Sequence, residues 1–208
     1  MKNYKKNFEI LKKNYVYSEE MEHDACGVGL IASTEGKKSR KVVEYGIEAL
    51  KAVWHRGAVD ADGKTGDGAG IHVEIPKDFF IEKIEVTGHT HDNSEICVGM
   101  IFLPRNDYAA QESCKTIVES ELTKNDFSIY GWRQVPVNPK VLGEKAFQTM
   151  PEIIQVLFKS NNPELLNKDL ERKIYETRRI IENKAFQISL NNFYICSLSS
   201  KSIIYKGM

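Results

Sequence analysis

From Cys26 onward, short apolar runs with the composition of β-strands alternate with longer runs of helical period, and no linker, repeat or low-complexity stretch separates them. Strands and helices mixed along one uninterrupted stretch must share a core, so the expectation is one domain of mixed α and β over residues 26–208. Strands are expected in "CGVGLIAS", as a buried strand, and in "IHVEIP", where Ile71, Val73 and Ile75 alternate with polar positions. Others are expected in "EICVGMIFL", "FSIYGW", "EIIQVLF", "FYICSL" and "IIYKG", the last two divided by "SSKS" as in a hairpin. Helices are expected in "RKVVEYGIEALKAVWH", where Val43, Ile47, Leu50 and Trp54 recur at helical spacing, and in "DYAAQESCKTIVESELTK". A further helix is expected in "NKDLERKIYETRRIIENK", with Leu166, Leu170, Ile174 and Ile181 on one face. Periodicity does not order the strands.

Composition narrows the class of function. The chain of 208 residues is 41% hydrophobic and 28% charged, with 29 basic and 29 acidic side chains. That balance gives no broad electrostatic footprint for nucleic acid or an anionic membrane surface, and no apolar run approaches the roughly 18 residues a membrane span needs. The four cysteines, Cys26, Cys97, Cys114 and Cys196, are widely spaced with no CxxC pair and no secretory leader, so reduced thiols and a cytoplasmic location are expected.

Residues 1–25 stand apart. They hold five lysines, five acidic residues and no arginine, without the apolar centre of a signal peptide. Two readings are open: a solvated helical arm, or a leader that is removed.

Several motifs fall short of a chemistry. "GKT" at Gly63–Thr65 ends like a phosphate loop, but the spacing requires glycine at position 58, which is Ala, and the loop runs from a helix into a strand. The glycines of "TGDGAG" are read instead as permitting positive φ and close backbone approach. His89 and His91 lack the further ligands that would complete a metal site, so no metal is expected and an exposed polar loop is. His55 ends a helix as a capping or core-edge residue. No Gly-x-Ser-x-Gly elbow is present. Cys97, Cys114 and Cys196 fall within strands or on an apolar helix face, where packing is their role.

Cys26 is different. It heads its run instead of sitting inside it, flanked by Ala25 and Gly27. Cleavage of the Ala25–Cys26 bond would make it an N-terminal residue carrying both a thiol and an α-amine of pKa about 7.7 to 8. One residue would then supply nucleophile and general base, without a histidine partner.

The segments "HDACGVGLIA", "HRGAVDADGKTGDGAG", "GWRQVPVNP", "LGEKA", "YETRRIIE" and "FYICSLSSKSIIYKGM" resemble, in order, the N-terminal glutaminase domain of the glutamate synthase large subunits, a branch of the class II glutamine amidotransferases. The resemblance runs from about Met21 to Met208. It implies an α+β fold of four layers, αββα, the N-terminal nucleophile hydrolase sandwich. It implies a leader over 1–25, Cys26 as catalytic nucleophile, and Arg56 as a substrate-binding residue that also holds the cysteine backbone. Asp67 and Gly68 fall near the site with no role assigned. L-glutamine is the implied substrate, its ammonia being used with 2-oxoglutarate to make glutamate. FMN and an iron–sulfur cluster are implied for the full-length subunit but not for this segment. The implied partners are the remaining synthase domains and a small electron-donating subunit.

The sequence also departs from the family. It stops at "YKGM", before an arginine-bearing segment that binds the glutamine carboxylate and an Asn-Gly pair that forms the oxyanion hole. The expectation is therefore a fragment or truncated product with an incomplete sandwich and little activity alone. The alternative is a catalytically inert binding or structural module in which the leader stays attached and blocks Cys26.

Overall fold

A computed structural model describes residues 2–14, 27–54, 57–92 and 94–207. The elements run α1 (Lys2–Asn14), α2 (Arg40–Ala52), β1 (Ala69–Glu74), α3 (Lys77–Val86), β2 (Cys97–Leu103), α4 (Tyr108–Lys124), β3 (Phe127–Gln134), α5 (Glu144–Thr149), β4 (Glu152–Ser160), α6 (Asn167–Gln187), β5 (Tyr194–Ser199) and β6 (Ser202–Gly207). They form one four-stranded sheet in the order β3-β4-β2-β5 and a ribbon of β1 with β6, antiparallel throughout.

Strand alternation divides the core between the faces of the larger sheet. Cys97, Ile101, Leu103, Ile154, Val156, Phe158, Ile195 and Leu198 point to one face, against Cys114, Val118 and Leu122 of α4 and Leu170, Ile174 and Ile181 of α6. Val98, Met100, Leu157 and Cys196 point to the other, against Phe80 and Ile84 of α3 and Ile203 of β6. Outside the ribbon lies α2, whose Gly46 approaches Ile71 of β1. The layers are thus helix pair, sheet, ribbon with α3, and α2, in the expected αββα order. The outermost layer is thin: no residue of α2 is buried.

Helix ends follow their caps. The Ser39 side chain accepts from Lys41 N at the start of α2, and Asp107 accepts from Ala110 N at the start of α4. Between α4 and α6, the Glu121 carboxylate accepts from Lys184 Nζ at 2.6 Å and from Lys124 Nζ at 3.1 Å.

Several expectations are corrected. Residues 27–33 form no strand, and Val28 and Leu30 are 91% and 90% exposed. A strand exists only where another backbone pairs with it, and among the described residues β1 and β6 pair only with each other. The supposed hairpin of β5 and β6 is a step between sheets: β5 pairs with β2, and β6 with β1. The step is held by side chains. Ser199 Oγ, Ser200 N and Ser200 Oγ all donate to the Glu171 carboxylate of α6, and Ser199 Oγ accepts from Lys201 N. Trp54 lies past the end of α2 and is 75% exposed. Leu166 precedes α6 and is exposed, whereas Leu170, Ile174 and Ile181 form the expected buried face. Helices α3 and α5 were not expected. The first shows only one buried i,i+4 pair, Phe80 with Ile84, and the second has six residues, too few for a period to show.

Two outcomes are expected. Gly99 of β2 is opposite both Val156 and Leu198, and a Cβ there would lie 2.6 Å from each side chain. Gly99→Ala should therefore lower stability by about 1–3 kcal/mol, read as the urea midpoint. The second concerns acid. The Lys184 ammonium beside Glu121 holds its carboxyl below the usual range. The tie is present at neutral pH and lost as pH falls through that depressed pKa, below about 4.3. Glu121→Gln should flatten the acid limb of the stability profile.

Candidate functional site

Cys26 and Arg56 lie outside the described residues, as does His55. The structure describes what surrounds them in the chain. Gly27, the residue after Cys26, lies against the end of α2: a Cβ on it would be 3.0 Å from Val53 Cγ2 and 3.1 Å from Val53 Cβ. Val53 is the C-cap of α2 and immediately precedes Trp54, His55 and Arg56. The helix end therefore brings the segment that follows Cys26 up to the segment that leads into Arg56.

The chain beyond Arg56 folds back on itself. Gly57 N donates to Trp54 O at 3.0 Å, bridging the two positions between them. Ala58 N donates to Asp67 Oδ2 at 2.7 Å, Val59 bridges to Gly66, and Asp60 N donates to Thr65 O at 2.8 Å. Residues 58–67 are thus a narrow hairpin. At its tip Asp62 Oδ1 accepts from Lys64 N and Thr65 N, and Oδ2 accepts from Thr65 Oγ1. These donors, Thr65 foremost, hold the Asp62 carboxyl well below its usual range. Gly63 at φ +70 and Gly68 at φ +88 supply the left-handed turns that the glycine-rich reading anticipated.

The tip rests on a distant segment. Lys145 Nζ donates to Asp60 Oδ2 at 2.5 Å, and Ala146 N to Thr65 Oγ1 at 3.4 Å. The pair lowers the Asp60 pKa and raises that of Lys145, chiefly through the hydrogen bond itself.

The other candidates resolve into structure. Cys97, Cys114 and Cys196 are buried and free. Burial raises all three thiols, Cys114 to about 11, so at neutral pH they remain protonated and unreactive. His91 Nε2 donates to Ser94 O, His89 Nδ1 hydrogen bonds with Thr87 Oγ1, and both rings lie near Tyr130. Among the described residues, no group of three or more His, Cys, Asp or Glu could hold a metal ion, and no helix is long and apolar enough to cross a membrane. Within "YETRRIIE", Arg178 Nη2 donates to Ile195 O at 2.7 Å, fastening α6 to β5.

Sequence reasoning missed the Asp67 clasp and the seat formed by Gly143–Ala146. Both "DADGKTGDGAG" and "LGEKA" had stood out as segments, but nothing local shows that they touch.

Comparison with known proteins shows the family. The chain is 53% identical over 205 residues to the glutamate synthase [NADPH] large chain of Azospirillum brasilense, covering 99% of this chain and 14% of that protein. It is 38% identical over 206 residues to the chloroplastic ferredoxin-dependent glutamate synthase 2 of Arabidopsis thaliana, covering 97% and 12%. It is 40% identical over 207 residues to the ferredoxin-dependent glutamate synthase of Pyropia yezoensis, covering 96% and 13%. The chain thus spans about an eighth of the length of the relatives it matches. Residues 26–208 match the family described as glutamine amidotransferases class-II, so the match begins at Cys26 itself. With the layered α+β architecture, the paired segments beside Cys26 and Arg56, and a family match from Cys26 to the last residue, the chain belongs to the class II glutamine amidotransferases.

Proposed function

We propose that this chain hydrolyses glutamine to glutamate and ammonia through an N-terminal Cys26, residues 1–25 being a leader removed to expose it. The observation that carries the reading is the family match starting at Cys26. It is supported by the three buried thiols elsewhere, Cys97, Cys114 and Cys196, whose raised pKa values make them poor nucleophiles.

The chemistry follows from one residue having two groups. The α-amine takes the thiol proton, and the sulfur attacks the side-chain amide carbon of glutamine. Collapse of the tetrahedral intermediate breaks the C–N bond, the amine returns its proton to the leaving nitrogen, and ammonia departs from a thioester. Water, deprotonated by the same amine, then attacks the thioester and releases glutamate and the thiol. Arg56, a planar fork of donors, holds the cysteine backbone and the substrate. The contact of Gly27 with Val53 supports this pairing, because it joins the segments that carry Cys26 and Arg56.

In this reading the ammonia is used with 2-oxoglutarate to make glutamate, as the family resemblance implies; the relatives are named as glutamate synthases. FMN, the iron–sulfur cluster and a small electron-donating subunit are assigned to other parts of such an assembly. One relative is named for NADPH and others for ferredoxin, so the donor is left open.

Cys26→Ala in the intact protein should abolish ammonia release from glutamine, while glutamate formation from free ammonia persists. Wild-type glutamine-dependent turnover would overturn the reading. N-terminal sequencing of the purified protein should find Cys26 first; a chain beginning at Met1 together with no glutaminase activity would favour the inert module. Arg56→Lys keeps the charge and loses the fork, and should cost up to about a hundredfold in glutamine turnover.

A further inference from the structure

We draw no further inference here: the strongest candidate, the apolar groove between α2, the β1–β6 ribbon and the four-stranded sheet, lined by Leu50, Ile71, Met100, Val135, Ile153 and Tyr205, carries nothing, because nothing in the structure shows what covers it.

Discussion

Strand β2 is buried on both faces, and the rest of the structure is arranged around that fact. From Cys97 to Ile101 its residues are buried, odd positions toward α4 and α6, even positions toward α3 and the ribbon. A strand with two apolar faces cannot border solvent without losing burial on one of them, so it demands a layer on each side. Its neighbours β4 and β5 pair along both edges, and Gly99 makes room where Val156 and Leu198 meet across it. The four layers follow from this one element more than from any helix.

Two sheets stacked face to face need a connection, and here it is polar. The step from β5 to β6 passes within reach of Glu171, whose carboxylate receives three hydrogen bonds from Ser199 and Ser200. Further along, Ser197 Oγ accepts from Ile204 N across the step. Gln155, fully buried on β4, is treated in the same way: Arg133 donates to its carbonyl, and its amide donates to Tyr205 of the ribbon. Each polar group placed between apolar layers has its partner, and among the described residues no buried side-chain nitrogen or oxygen lacks one.

Elements whose pattern is local were readable in the sequence. The buried face of α6, the alternation of Ile71, Val73 and Ile75, and the packing role of Cys97, Cys114 and Cys196 follow from period and composition, and the structure bears them out. The layer order came from family resemblance. Pairing was not readable: "CGVGLIAS" has the composition of a strand, but only another backbone makes it one, and "SSKS" has the residues of a hairpin turn yet carries the chain between sheets. At the candidate site, Cys26 stood out by its position at the head of its run, and Arg56 through "HRG". Asp67 was placed near the site without a role, and Gly143 and Lys145 did not stand out, because their contacts, such as that of Lys145 with Asp60, 85 positions apart, are made across long stretches of chain.

The ribbon has a consequence in time. Its strands are distant in sequence: His72 of β1 hydrogen bonds with Ser202 at the start of β6, 130 positions later. The β2–β4 sheet and α4 close over a short span, so they can condense while the polypeptide is still being made. β1 has no partner strand until β6 emerges, a wait on the order of ten seconds at ordinary rates of synthesis. Loop-closure entropy makes such a late, long-range pairing slow as well. The part of the molecule that bears β1 and the hairpin is thus the last to settle, and a nascent chain exposes Ile75, buried in the finished fold in one cluster with Ile203, to whatever else is present throughout that interval.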